Sequence, residues 1–262
     1  MRVTTKSFKV APVSLVTVLV ASSLMSGIAS ALPLRTPLVD AAAATSSAFC
    51  TGLSNKASSQ NNRLTTLETT LTAAQQKRHS TQESNWSNNA TKLSSLQSEW
   101  QTDRNTEYAK LTSLATTTSE KTAVTTFETT LNAAITARES ANGAARTTYQ
   151  TAVTAAAQTE ANSIGAAETA MQTAVSAAVS TAETSCQGGT TSAATIESTL
   201  SSAITSAKQT YQTSVSTARM TYQSAVKSLS STETTTINQN DATFQAALTN
   251  ATSALKTAFG QS

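Results

Sequence analysis

The sequence predicts an all-α protein: an elongated antiparallel, up-down-up three-helix bundle with coiled-coil-like, Ala-rich seams. Three observations carry that expectation. No proline occurs from residue 38 to residue 262, and a helix interior excludes proline at about 3 kcal/mol per residue. Over the same span apolar residues recur at spacings of three and four, which marks a narrow apolar stripe on a helix. Two interruptions cut that stripe into three stretches of nearly equal length, and equal helices joined by short loops pack as antiparallel neighbours. The 46 Ala, 51 Thr and 37 Ser make up half of the 262 residues, so the seams are thin and their flanks hydroxylated.

The N-terminus reads as an export signal over residues 1–31. Arg2, Lys6 and Lys9 form a basic start, residues 10–28 are apolar, and Ala29-Ser30-Ala31 is a small-residue cleavage pattern. The competing reading is an uncleaved membrane anchor, opposed by Pro12, by Ser22, Ser23 and Ser26, and by the fitting cleavage site. A cut within the alanines at 41–44 is the alternative to one after Ala31, because residues 32–48 look like a flexible segment. Cys50 follows Phe49 far beyond the apolar stretch, which argues against lipidation. No second long apolar run follows, so the mature chain is expected to insert no helix into a membrane.

A single elongated domain is then expected at 49–262, with helices at about 50–115, 120–186 and 192–259. The first stripe runs through Leu53, Leu64, Leu67, Leu71, Trp86, Leu93, Leu96, Trp100, Glu107, Leu111 and Leu114. It ends in the β-branched run Thr116-Thr117-Thr118, before Glu120, where a second helix can start. The second stripe includes Val124, Phe127, Leu131, Ile135, Tyr149, Val153, Ile164, Met171 and Val175. Gln187-Gly188-Gly189-Thr190 stops it, since glycine permits the left-handed exit from a helix, and Ser192 is placed to cap the third. That stripe includes Ile196, Leu200, Ile204, Ala207, Tyr211, Val215, Ala218, Tyr222, Ile237, Phe244, Leu248, Ala251, Leu255 and Phe259. At 1.5 Å per residue each helix is about 100 Å long. The alternative is rods folded into shorter hairpins at residues 79–89, Asn142-Gly143, Gly165 or residues 230–241. Three of these four weak points fall near mid-rod, as a shared polar or kinked layer would require.

The chain repeats itself. Thr65-Thr66-Leu67-Glu68-Thr69-Thr70-Leu71 returns as Thr125-Thr126-Phe127-Glu128-Thr129-Thr130-Leu131, and Tyr149-Gln150-Thr151-Ala152-Val153 as Tyr211-Gln212-Thr213-Ser214-Val215 and Tyr222-Gln223-Ser224-Ala225-Val226. The last two copies lie about 11 residues apart, a period that favours nearly straight packing. Duplication of a helical unit explains both.

Removing residues 1–31 takes Arg2, Lys6 and Lys9 from the 18 basic residues, leaving them balanced against 15 acidic ones. A neutral product gives no electrostatic footprint for nucleic acid. Catalytic chemistry has little to work with, and no enzyme activity, cofactor or metal is expected. His79 is the one histidine, Asp occurs only as Asp40, Asp103 and Asp241, and two cysteines with one histidine do not complete a usual zinc site. Tyr149, Tyr211 and Tyr222 sit in the stripes as seam residues. Trp86 and Trp100 share a face, either filling space opposite the glycine and alanines of the second helix or forming a sticky patch. Asn85, Asn89 and Asn250 begin glycosylation sequons whose use depends on the host.

Thr199, Thr210, Thr221, Thr232 and Thr243 recur every 11 residues, interleaved with Ala203, Ala207, Ala218 and Ala225. In that spacing alone the third helix resembles the alanine-rich type I antifreeze helices of fish, and the resemblance implies an ice-binding face. The 11-residue repeats of exchangeable apolipoproteins need a broad apolar face and abundant charge, whereas only 13% of these residues are charged.

Cys50 opens the first helix and Cys186 closes the second, so an up-down arrangement places both at one end of the rod. In an exported chain they are expected to form an intramolecular disulfide; the alternatives are free thiols or a bridge between chains. The functional expectation is an exported, non-enzymatic structural or interaction protein: a rod, scaffold or spacer secreted or held at the cell envelope. Its partner would be an envelope or extracellular protein or glycan, with self-association through a residual Leu or Trp face. A ligand or surface binder, ice included, is the alternative, and a secreted enzyme the third.

Overall fold

The computed structural model describes residues 46–261. They form three long helices and, among the described residues, no strand: α1 (Ser46–Leu114), α2 (Thr118–Gly188) and α3 (Ala193–Ala258). The expected signal over 1–31, and the part of the flexible segment up to residue 45, lie outside the described residues. Residues 46–48 were expected in that flexible segment but begin α1 instead. Phe49, buried at 8% exposure, fixes the turn that contains them.

Each helix end has a local cause. Thr117 caps α2: its side chain accepts from the Glu120 N–H at 3.2 Å, while Glu120 Oε2 accepts from the Thr117 and Thr116 N–H groups at 2.8 Å each. This reciprocal capping box starts α2 at Thr118 rather than at Glu120, because Glu120 serves as its third residue. Those backbone donors hold the Glu120 carboxyl below its ordinary range. Gly189 takes φ 65°, the left-handed exit that ends α2. Ser192 accepts from the Thr195 N–H at 3.2 Å and opens α3.

Cross-helix contacts define the topology. Cys50 meets Cys186, Arg78 meets Glu160, Trp86 meets Tyr149 and Tyr108 meets Phe127. As the α1 number rises the α2 number falls in step, so the pair is antiparallel and in register from end to end. Arg138 with Asp241 and Asn142 with Asn240 set the same relation between α2 and α3. The result is an antiparallel up-down-up bundle.

The three helices are not equivalent. Backbones of α2 and α3 approach closely along the pair, with Cα atoms within 8 Å, whereas α1 lies mainly against α2 and barely approaches α3. Small side chains allow the close pair: Ala157, Ala167 and Ala182 of α2 are buried, as are Ala207, Ala218 and Ala251 of α3. Burial in α1 is concentrated near its ends, at Phe49, Leu53, Leu64, Leu71 and Tyr108.

Three stripe assignments in α1 need correction. Tyr108, at 3% exposure, is the core residue, and its neighbour Glu107 is exposed. The small slip follows from an apolar beat that is sparse between Trp100 and Leu111. Leu96 and Leu114, at 39% and 45% exposure, lie on the flank of α1 rather than in the seam.

The helices run unbroken through all four weak points, including Gly143 and Gly165. A glycine inside a helix costs about 1 kcal/mol against alanine, too little to break a long helix packed along its length. Polar side chains also serve the backbone: Thr147 donates to the Gly143 carbonyl at 3.1 Å and Thr169 to that of Gly165 at 3.0 Å. A Cβ placed at Gly143 or Gly165 would meet nothing within 4 Å. We therefore expect Gly143→Ala and Gly165→Ala each to stabilise the protein by about 0.5–1 kcal/mol in chemical denaturation. A loss of stability at either site would mean that the glycine serves a contact the fold does not show.

Candidate functional site

Cys50 and Cys186 form the expected bridge, S–S 2.00 Å, with their Cα atoms 5.8 Å apart across 136 residues of sequence. It joins the first turns of α1 to the last turn of α2, at the end where α2 hands over to α3. Both cysteines are half-buried.

Further along the bundle lies a layer built on Glu160, a carboxylate at 4% exposure. Arg78 of α1 reaches its Oε2 at 3.4 Å, while its Oε1 has no hydrogen-bond partner. Tyr222 of α3 completes the layer, hydrogen-bonded to Gln82 of α1; burial raises the phenol, the Glu160 charge raises it further, and Arg78 opposes both. About 27 Å further along α2 lies a second layer. There Arg138 Nε donates to Asp241 Oδ1 at 2.6 Å, Asn240 donates to Asn142 Oδ1 at 2.8 Å, and Asn142 donates to Asp241 at 3.4 Å. The Arg138 guanidinium also lies over the Phe244 ring at 5.0 Å. Asn142 and Asp241 come from two of the sequence weak points, so the shared polar layer inferred there is present without a kink. Glu160, Arg138 and Arg78 were missed, because each looks like any solvated charge until a facing helix is set against it.

The tyrosines take seam positions. Tyr211 is buried and its phenol is pushed up to about 12, by desolvation first and by the Glu168 charge second. Tyr149 is half-buried and meets Trp86 edge-to-face, with centroids 6.4 Å apart. Trp86 thus packs on an aromatic ring, and the space beside Gly143 stays open. Trp100 is half-buried, as is His79.

All five threonines of the 11-residue series, Thr199, Thr210, Thr221, Thr232 and Thr243, are exposed on α3. Successive members lie about 16.5 Å apart, and on an ideal helix each step turns the row by about 20°. Thr232 and Thr243 donate their hydroxyls to the Ser228 and Gln239 carbonyls at 3.1 and 3.0 Å, which leaves the methyl groups outward. Ala207 and Ala218 are buried in the seam at 8% exposure each, where the apolar stripe placed them, and so do not share the threonine face. Heavy use of the seam by alanine draws them inward. Asn89 and Asn250 are exposed and Asn85 is half-buried.

Among the described residues no group of His, Cys, Asp and Glu is arranged to hold a metal ion, and no helix is long and apolar enough to cross a membrane. No protein-family model, characterised protein or solved structure matches this chain.

Glu168 is the residue whose ionisation the fold opposes most plainly. Burial raises its carboxyl above the ordinary range, the Glu68 charge adds to this, and its Oε1 is buried without a partner. A carboxyl raised on folding binds more protons in the native state, so stability falls as pH rises from its unfolded value through the folded one. We expect Glu168→Gln to raise the melting temperature at about pH 7, with the gain shrinking towards about pH 4, where wild type is protonated too. An equal gain at both pH values would sink the electrostatic explanation.

Proposed function

We propose that this is an exported, non-enzymatic rod that works as a spacer, scaffold or binding surface at or outside the cell envelope. The observation that supports this most is the disulfide-clamped bundle: three helices of about 100 Å, the first two tied at one end by Cys50–Cys186. Such a bridge suits a compartment where disulfides persist. The buried polar groups favour a structural role as well. Arg138, Asp241 and Asn142 are occupied with one another, Glu160 Oε2 with Arg78 and Tyr222 with Gln82, so they align helices. The outer faces offer Thr, Ser, Asn and Gln to a partner, which we place among envelope or extracellular proteins and glycans. Exposed Leu96, Leu114 and Met220 are the apolar points available for self-association.

Fractionation of the native cell with N-terminal sequencing, followed by affinity capture with the mature rod, tests the proposal. We expect the protein in the envelope or medium, starting near residue 32 or within 42–45, and one abundant envelope protein or glycan captured. A cytoplasmic protein that retains residues 1–31 would refute export.

A second reading, an ice-binding surface, is favoured by one observation: all five threonines of the 11-residue series are exposed. It is the weaker reading, because Ala207 and Ala218 are missing from that face. Thermal hysteresis with faceted ice growth, abolished by Thr221→Lys with helicity intact, is its expected outcome; ice growth like that of a buffer control rejects it.

A further inference from the structure

We infer that α1 is a releasable strap, held on a self-sufficient α2–α3 hairpin by the Cys50–Cys186 disulfide. Reduction of that bridge frees α1 without unfolding the hairpin. Three independent observations lead here.

Burial in α1 is uneven. From residue 72 to residue 107 no side chain of α1 is buried. That stretch is held by Arg78 on Glu160 at 3.4 Å, by Trp86 on Tyr149, and by Gln82 on Tyr222. Its Arg104 has a buried Nε without a hydrogen-bond partner. The α2–α3 pair, by contrast, carries buried residues through its middle, with Val153, Ala157, Ile164 and Met171 on α2 and Ile204, Tyr211, Val215 and Ala218 on α3.

Composition separates the helices in the same way. Six alanines fall in α1, nineteen in α2 and twelve in α3. Alanine is the strongest helix former, whereas Ser, Thr and Asn hydrogen-bond locally in competing conformations. The two helices that approach most closely are therefore also the two that need least help to stay helical. α1 has neither advantage.

The fastening is local. One end of α1 is tied covalently, and the other is tied by the three residues between Leu114 and Thr118. Between the two ties, opening breaks the buried contacts of Leu53, Leu64, Leu71 and Tyr108 and the weaker ones of residues 72–107; with both ties intact, those contacts re-form at once because α1 cannot leave. Removing the covalent tie converts that confinement into an open chain end.

The chemistry requires a dithiol reductant. Its thiolate attacks one sulfur of the bridge to give a mixed disulfide, and its second thiol displaces the protein sulfur. Two electrons and two protons pass to the protein: Cys50 and Cys186 leave as thiols and the reductant as its own disulfide. Both cysteines are half-buried, at the end of the bundle where α1 begins and α2 stops. Release of α1 uncovers the rings it touches, among them Tyr149, Phe127 and Tyr222.

Hydrogen exchange of the full chain, followed peptide by peptide by mass spectrometry with and without a dithiol, tests this. We expect reduction to speed exchange in residues 46–107 by at least about ten-fold while residues 124–182 and 196–251 keep their protection. Reoxidation should restore the slow rates. The Cys50→Ser/Cys186→Ser variant without reductant should reproduce the reduced pattern, which excludes an effect of the reductant itself. Unchanged protection of α1 after reduction overturns the proposal. So does loss of protection in all three helices together, in the reduced protein or in the variant, since it would show one cooperative bundle.

Discussion

Close approach of α2 and α3 through a seam of alanines is the constraint on which the rest of the molecule depends. Alanine at the contact brings two backbones together, as Ala157, Ala167 and Ala182 do against the α3 seam of Ala207, Ala218 and Ala251. Dispersion between many close atoms then replaces what large side chains would supply. α1 cannot join on those terms. Its contact residues are Leu, Trp, Tyr, Arg and Gln, so it stands further off and buries chiefly its ends.

A repetitive chain faces a second difficulty, which is alignment. Similar Tyr-Gln and Thr-Thr segments recur, so apolar pattern alone distinguishes one register from the next only weakly. The two polar layers remove that degeneracy. Asn142 finds both Asp241 and Asn240 only in the observed register, and Glu160 likewise finds Arg78. A slip would leave these groups buried and unpaired, at a cost of about 1–3 kcal/mol for each lost partner. The unsatisfied oxygens of Glu160 and Glu168 show that this alignment is achieved at the expense of some stability.

Threonine and serine, poor helix formers, are accommodated by back-bonding. Exposed threonines along all three helices donate to the carbonyl four residues earlier, as Thr66, Thr126 and Thr236 do at 2.9–3.0 Å. The hydroxyl is thereby satisfied within the helix and the methyl group turns outward.

Helix number, helix ends and the disulfide were legible in the sequence because each has a local or purely topological cause. Proline exclusion, the Gly188-Gly189 exit and the Ser192 cap act over a few residues. Cys50 and Cys186 needed only the alternation of helix directions. The residues that hold the bundle in register were hidden for a physical reason. Arg138, Glu160 and Arg78 differ from solvated charges only in what faces them across 82 or 103 residues of chain. Tyr108 was lost beside Glu107 because a sparse stripe leaves its phase open by one residue. The alanines at 207 and 218 fell both in the apolar stripe and beside the threonine row, and packing chose the stripe. Tertiary structure decided where two such positions competed, since alanine fits either environment and only a partner helix makes the choice.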